Sequence, residues 1–278
     1  MKKLLLSLIC ITFAATSFAS VSPNNSGDTP LVGIVNGNSK FSALPSEMKV
    51  VAAATVGLLI GRPKVGVTRC TGVALSTSKI LTAAHCFAID QIGTLDSIDI
   101  SVDGDPGATV YYDTYFFEKK KNDYTLSRSN YSPKKLGDDY VVINLIGKIK
   151  LKRYLPSGDN IINNDNNLQK YLTPDPYNKG VELFKKPYEL YVIGYENDLK
   201  FKWATGKTNQ LAAGVITNTQ GKILSWPLKG GVQTEAGNSG GPLWICEDNK
   251  NCRLIGITHG TISISVDEES FTLIPNKL

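Results

Sequence analysis

Short apolar runs separated by turn residues recur along most of the chain. The first half includes Lys49–Val56, Gly72–Leu75, Ser97–Val102, Ala108–Tyr112 and Tyr140–Leu145. The C-terminal third includes Leu190–Gly194, Gly214–Thr217, Pro242–Ile245, Leu254–Thr258 and Phe271–Ile274. Their length and spacing predict the short strands of an all-β barrel or sandwich. The polar stretch 157–167 separates the two sets, and we expect it to belong to a surface linker.

The N-terminus has the pattern of a signal peptide. Two lysines follow Met1, an apolar run extends from Leu4 to about Ala15, and small residues flank the predicted cut after Ala19. This run is too short to span a bilayer, and no other stretch is long and apolar enough to do so. Residues 20–33 are rich in Ser, Pro, Asn and Gly, which predicts a flexible leader or short propeptide. We therefore expect an exported protein, either extracellular or periplasmic.

The composition is that of an ordinary globular protein, with 42% apolar and 20% charged residues among 278 and a net charge of +5. An aromatic run, 111–117, precedes three lysines at 119–121, a combination that can stack on and neutralise nucleic acid. An exported protein rarely needs that activity, and aromatic strands ending in a charged turn are common. No nucleic-acid partner is therefore expected.

Four cysteines remain after removal of the signal peptide, and four cysteines allow three disulfide pairings. Cys246 and Cys252 flank a short polar turn between two apolar runs, so their pairing across a hairpin is the simplest. The cysteine spacing does not fit a zinc site, and the chain has only two histidines. No metal site is predicted.

Three separate segments offer the parts of an activated hydroxyl nucleophile. Ser239 lies in the glycine-rich segment Gly237–Pro242, and His85 follows a strand-like run and precedes a cysteine. Serine needs an imidazole to accept its proton and a carboxylate to orient that imidazole. Asp139 is the better candidate carboxylate because it abuts the buried run, whereas Asp138 lies one residue farther away. The only other histidine is His259.

With histidine, aspartate and serine in this order, the chain resembles the trypsin/chymotrypsin-like serine proteases. The resemblance covers most of the chain after the first thirty-odd residues, and its motifs are Ala83–Cys86, Asp139–Leu145 and Gly237–Pro242. Ile34–Gly37 also resembles the mature N-terminus of that family. The resemblance implies two antiparallel six-stranded barrels with the active site between them. The implied protease domain is 34–278, with a first barrel at about 34–147, a linker at about 148–187 and a second barrel at about 188–278.

The resemblance also implies the residue roles. Ser239 would be the nucleophile, His85 the general base and Asp139 the residue that orients it, with the Gly237 and Ser239 amides binding the oxyanion. The family pairs the positions of Cys70 and Cys86, which implies a disulfide there. No cofactor is implied, and the partners would be protein or peptide substrates of a monomeric enzyme.

The chain departs from the family pattern just before the nucleophile. Asn238 stands where the zymogen-activated branch has an aspartate that pairs with the freed N-terminal ammonium. A neutral amide cannot neutralise a buried ammonium, so the sequence does not predict activation by this ion pair. Asn238 and the run Tyr191–Tyr195 resemble the bacterial glutamyl-endopeptidase branch more closely.

Substrate preference is open at this point. The resemblance places Gln233 at the floor of the S1 pocket, and Thr234 and His259 would hydrogen-bond an acidic or polar P1 side chain. His259 comes one residue later than the histidine of the glutamyl branch, so either the strand bulges there or His259 faces the surface. A small-to-medium polar or apolar P1 residue is the competing prediction. A catalytically silent binding module and an esterase with the same triad are the alternative functions.

Overall fold

The computed structural model covers the strands and turns that carry most of the motifs. It describes residues 37–62, 66–87, 100–103, 115–117, 121–127, 129, 131–132, 135–148, 150–156, 161, 167–196, 200–208, 213–218, 221–227, 234, 237–247, 250–261 and 268–274. The predicted signal peptide (1–19), the leader (20–33), the run Ala108–Tyr112 and Gln233 lie outside these residues.

One α-helix, α1 at Ser46–Ala52, begins directly after Pro45. The sequence pattern predicted a strand at Lys49–Val56, and this prediction is wrong for its first half. Met48, Val51 and Ala52 are the buried residues of α1, and their i, i+3, i+4 spacing is that of one helix face. The β-branched residues Val50 and Val51 favour a strand by type, whereas the spacing of the buried residues is that of a helix. The strand prediction followed residue type rather than spacing, which explains the error. In the described part of the chain, no helix is long and apolar enough to cross a membrane.

The first sheet contains seven antiparallel strands from the N-terminal half. They are β1 (Thr55–Arg62), β2 (Gly66–Ser76), β3 (Lys79–Thr82), β4 (Ile100–Asp103), β5 (Tyr115–Phe117), β6 (Tyr124–Leu126) and β7 (Val141–Leu145). Their order across the sheet is β5-β4-β1-β2-β3-β7-β6. β2 and β7 flank β3, so the segments that leave the end of β3 and enter β7 lie side by side.

The second sheet contains nine antiparallel strands. They are β8 (Leu172–Pro174), β9 (Val181–Phe184), β10 (Glu189–Tyr195), β11 (Phe201–Lys207), β12 (Gly214–Asn218), β13 (Gly221–Pro227), β14 (Pro242–Glu247), β15 (Lys250–Thr261) and β16 (Glu268–Leu273). Their order is β11-β10-β14-β15-β16-β13-β12-β9-β8. The short strands β8 and β9 lie within 148–187, the stretch expected to be a linker.

The predicted all-β architecture of two antiparallel sheets is confirmed. The described strands number seven and nine, where the resemblance implied six in each barrel. The larger core cluster includes Leu58, Ile80 and Ile143 from the first sheet together with Ile193 and Trp244 from the second. Burial of this shared apolar surface fixes one sheet against the other, because removing it from water stabilises the fold by roughly 25 cal/mol per Å².

Candidate active site

His85 lies on a single turn of 3-10 helix, Ala84–Phe87, that follows the end of β3. A disulfide joins Cys86, the next residue, to Cys70 on β2. The turn is therefore fixed both by the strand that precedes it and by a covalent bond to the neighbouring strand. The pairing is the one that the resemblance implied, and it is confirmed.

Asp139 meets His85 at the same end of the first sheet. It lies two positions before Val141, the first residue of β7, and β7 pairs with β3 so that Val141 lies opposite Thr82. The main-chain N–H of His85 donates to Asp139 Oδ1 at 2.8 Å, and His85 Nδ1 lies 2.6 Å from Asp139 Oδ2. Because a carboxylate only accepts hydrogen bonds, Nδ1 carries the proton in this pair and Nε2 is left free to accept one. Asp139, rather than Asp138, makes this contact.

Asp139 is completely buried yet ionised. Burial by itself would raise the pKa of this carboxyl, but hydrogen bonds from His259 and His85 outweigh it and hold the pKa well below its usual range. The carboxylate thus remains negative at neutral pH and accepts both hydrogen bonds from His85, which orients the ring.

A second imidazole shares this carboxylate. Nδ1 of His259 hydrogen-bonds Asp139 Oδ2, the same oxygen that His85 contacts, and the two rings lie edge to face with centroids 5.2 Å apart. His259 lies on β15 where the pairing with β16 shifts register between Thr258 and Gly260. The bulge alternative is therefore the correct one, since only 14% of the His259 side chain is exposed.

Ser239 is half-buried in a turn, 237–240, that precedes β14. Its carbonyl accepts the Thr71 N–H at 2.8 Å, and the Gly240 N–H donates to Thr258 on β15 at 2.8 Å. Gly240 has φ +81°, and a Cβ there would lie 2.2 Å from Thr82 Oγ1 and 2.4 Å from the Thr71 carbonyl oxygen. Only glycine permits so close an approach of this turn to β2 and β3.

Thr71 on β2 links the two sheets at the Ser239 turn. Its hydroxyl donates to the Gly237 carbonyl at 2.7 Å and accepts the Tyr195 N–H of β10 at 2.8 Å. Thr71 is also the neighbour of Cys70, whose disulfide partner adjoins His85. A short chain of bonds therefore runs from the histidine turn to the serine turn. Thr71 was not among the residues predicted from the sequence, where its only signal was a hydroxyl next to a cysteine on a buried strand.

Asn238 is buried against the end of β10. Its side-chain amide donates to the Tyr195 carbonyl at 3.1 Å. A Cβ at Gly194 would lie 2.6 Å from the Asn238 Nδ2 atom, so this glycine makes room for the amide. The residue that departs from the family pattern is thus held by a neutral hydrogen bond to the main chain.

The remaining predicted site residues are placed as follows. Gly237 is buried and has φ +104°, a backbone conformation that favours glycine. Thr234 is buried, whereas Gln233 lies outside the described residues. Within the described residues, His85 and Ser239 share no hydrogen bond; in enzymes without substrate, catalytic hydrogen bonds are often long and tighten only in the complex.

The second predicted disulfide, between Cys246 and Cys252, is also present. It closes the turn between β14 and β15, and the pairing of Pro242 with Ile257 puts the Ser239 turn and His259 together at the open end of this hairpin. What sequence reasoning missed here is the contact of His259 with Asp139. It depends on the bulge in β15, and the scarcity of histidine was the only sign of it in the sequence.

Solved structures with a similar fold include proteases. HL collagenase superposes with a TM-score of 0.50 at 18% identity, covering 87% of this chain and 94% of its own. The tobacco etch virus protease, solved with its product, superposes with a TM-score of 0.52 at 12% identity, covering 84% of this chain and 78% of its own. At these identities the likeness shows the fold alone. No curated protein sequence matches the chain.

The family model that matches the sequence is Trypsin, over residues 45–272. The match spans more than half of the chain and contains both the His85 turn and the Ser239 turn. The arrangement of the two sheets and the protease folds that superpose on them agree with it. The chain therefore belongs to the trypsin family.

Proposed function

We propose that the protein is a serine endopeptidase that acts through an acyl-enzyme. Ser239 attacks the scissile carbonyl, and His85 accepts the serine proton at Nε2 and later gives it to the leaving amine. Asp139 holds His85 in the tautomer with the proton on Nδ1 and stabilises the imidazolium that forms. Water then hydrolyses the acyl-enzyme by the same proton transfers in reverse order.

The observation that carries this proposal is the buried His85–Asp139 pair. Two hydrogen bonds, from the main chain and from the ring of His85, fix the imidazole on an ionised carboxylate. General bases in hydrolases are positioned in this way because a rotated or inverted imidazole cannot accept a proton from the nucleophile. The Ser239 turn, which Thr71 anchors beside the histidine turn, supports the serine as the nucleophile.

We assign the oxyanion site to the amides of Gly237 and Ser239. The positive φ of Gly237 supports this assignment, because main-chain N–H groups converge on one point where the backbone turns tightly. Such donors stabilise the tetrahedral intermediate by a few kcal/mol, roughly 2.7–4 kcal/mol for one donor. The buried Asn238 side chain helps to hold this turn in shape, because its amide donates to the Tyr195 carbonyl.

Substrate recognition is proposed for Gln233, Thr234 and His259. Since Nδ1 of His259 is engaged by Asp139, only Nε2 of that ring remains for a substrate group. With no acidic residue at Gln233 or Thr234, a P1 lysine or arginine would lack a counter-charge there. An acidic or polar P1 residue and a small-to-medium apolar one are the two preferences to be separated by profiling.

We further propose that the enzyme is exported and acts outside the cytoplasm on protein or peptide substrates as a monomer. The two disulfides support an oxidising compartment, since such bonds rarely persist in the cytosol. The N-terminal pattern of 1–19 is that of a cleaved signal peptide. The N-terminal sequence of the secreted protein would show whether the chain starts after Ala19 or at Ile34.

The test is reaction with a fluorophosphonate probe followed by intact-mass measurement, with Ser239→Ala as the matched control. We expect one adduct on the wild type and none on the variant, together with cleavage of an internal peptide bond in a peptide library. An adduct without peptide cleavage would favour the esterase alternative. No adduct on a folded chain, whether it begins after Ala19 or at Ile34, would contradict the proposal and favour a binding module.

A further inference from the structure

The two histidines of this chain, its complete set, converge on one carboxylate. Nδ1 of His85 and Nδ1 of His259 both face Oδ2 of Asp139. The three groups come from distant segments, namely the turn after β3, the segment that leads into β7 and the bulge in β15. The assigned mechanism uses His85 and Asp139 but gives no task to the Nδ1 atom of His259.

Two imidazoles and one carboxylate form a donor set suited to Zn²⁺. One nitrogen from each ring and one carboxylate oxygen lie within 4.8 Å of one another. In a tetrahedral zinc site the donors lie about 2.0–2.2 Å from the ion and so roughly 3.3–3.5 Å apart. His85 Nδ1 and Asp139 Oδ2 are 2.6 Å apart, so the rings would withdraw by about 1 Å to admit the ion.

The site is open on one side and fixed on the other. The side chains of His85 and His259 are 28% and 14% exposed, so both rings can be reached from solvent. Asp139 is fully buried, and the main-chain N–H of His85 keeps its other oxygen, Oδ1, in place. Three protein ligands with a fourth position open to water is a common arrangement for Zn²⁺.

From this geometry we infer that His85, His259 and Asp139 form a Zn²⁺ site through which the metal reversibly inhibits the enzyme. The inhibitory effect rests on the proposed function, whereas the binding site does not. Spacing along the sequence gave no sign of such a site, because its three ligands are brought together only by the fold.

Metal binding would inhibit by moving one proton. In the metal-free pair, His85 carries its proton on Nδ1 and its Nε2 is free to accept one. When Nδ1 donates its lone pair to Zn²⁺, the proton of a neutral imidazole resides on Nε2 instead, and no proton needs to be lost. Nε2 then carries a proton and has no lone pair to offer, so it cannot deprotonate Ser239. Removal of the metal restores the original tautomer.

Calorimetric titration of Zn²⁺ into tag-free Ser239→Ala tests binding without any need for turnover. We expect one Zn²⁺ per chain. The double variant that also carries His259→Asn should bind Zn²⁺ at least about tenfold more weakly. Loss of a residue that only hydrogen-bonds a metal ligand already costs roughly 10–100-fold in metal affinity, and loss of a ligand should cost no less. Asp175→Asn, which alters an exposed carboxylate on a surface turn, is the matched control and should bind as tightly as the parent. Equal affinity with and without His259, or no binding, would overturn the site.

Proton NMR provides a second measurement that does not depend on a folded His259 variant. Since the chain has two histidines, its Ser239→Ala form should give two sets of imidazole ring signals, and Zn²⁺ should perturb both. Perturbation of neither set, or of one alone, would overturn the proposal. Asparagine at 259 retains an N–H donor for Asp139, so a fall in metal affinity does not simply report a lost hydrogen bond.

Inhibition is then measured on the active chain with and without His259→Asn, each compared with its own metal-free rate. The Zn²⁺ concentration for half-inhibition should rise at least about tenfold in the variant, matching its loss of Zn²⁺ affinity. EDTA should reverse the inhibition. Zn²⁺ binding without any peptidase activity would refute the proposed function and leave the metal site standing. Peptidase activity without Zn²⁺ binding would refute the metal site and leave the proposed function standing.

Discussion

Replacement of Thr71 by valine tests how the two sheets are joined at the serine turn. Thr71 is fully buried, and its hydroxyl bridges the Gly237 carbonyl and the Tyr195 N–H. Valine has nearly the same shape but neither donates nor accepts a hydrogen bond. The change therefore removes the bridge while filling the same volume.

The expected loss follows from the two groups left behind. Gly237 and Tyr195 are both buried, so water cannot readily replace the hydroxyl at either one. An unsatisfied buried donor or acceptor costs about 1–3 kcal/mol, which gives about 2–6 kcal/mol for the pair. Thr71→Ser, the matched control, keeps the hydroxyl and loses one methyl group, for which we expect about 0.5–1.5 kcal/mol.

Urea unfolding followed by tryptophan fluorescence, with the disulfides intact, measures both free energies. The rate of labelling by a fluorophosphonate reports on the Ser239 turn, and we expect it to fall about tenfold or more in Thr71→Val, which corresponds to roughly 1.4 kcal/mol. If Thr71→Val and Thr71→Ser unfold within about 0.5 kcal/mol of each other, the hydroxyl does not bridge the sheets as described.

Three further changes probe the site and the core. Asp139→Asn should lower kcat/KM roughly 10⁴-fold in peptide hydrolysis while the chain stays folded, because the amide no longer holds His85 in the proton-accepting tautomer; a loss under tenfold would contradict that role. Gly240→Ala should destabilise the protein by about 2–5 kcal/mol in urea, since it combines a positive φ with backbone overlap; Gly147→Ala, also at positive φ but with open space, is its control. Burial, reinforced by Glu189, raises the pKa of Tyr191 to about 12, so folding favours the neutral phenol. The contribution of Tyr191 to the free energy of unfolding should therefore be constant below about pH 10 and fall by roughly 1–2 kcal/mol between pH 10 and pH 12, so Tyr191→Phe should lose less stability over that range than the wild type.

The sequence identified those parts of the site that are local in the chain. Contiguous residues form the His85 turn, the Ser239 turn and the strand after Asp139. Each turn has the glycine or cysteine that its backbone conformation or its disulfide requires. The register of β3 against β7 then brings His85 and Asp139 together, as their positions at strand ends indicated.

The parts that the sequence did not reveal depend on long-range geometry. Alternation along β15 cannot locate a bulge, so the direction of His259 stayed open until its register with β16 was known. Thr71 is one threonine among several on buried strands, and nothing local marks it as a bridge. The helix α1 was hidden because its β-branched residues read equally well as a strand.

The attachment of the Ser239 turn has a consequence for the response to ionic strength. The described contacts of this turn with Thr71, Tyr195 and Thr258 are hydrogen bonds between neutral groups. Dissolved salt screens attraction between charges over about 10 Å at 0.1 M, but it has little effect on short neutral hydrogen bonds. A nucleophile loop held in this way keeps its shape in brackish or saline surroundings, where a loop that relies on an exposed ion pair would loosen.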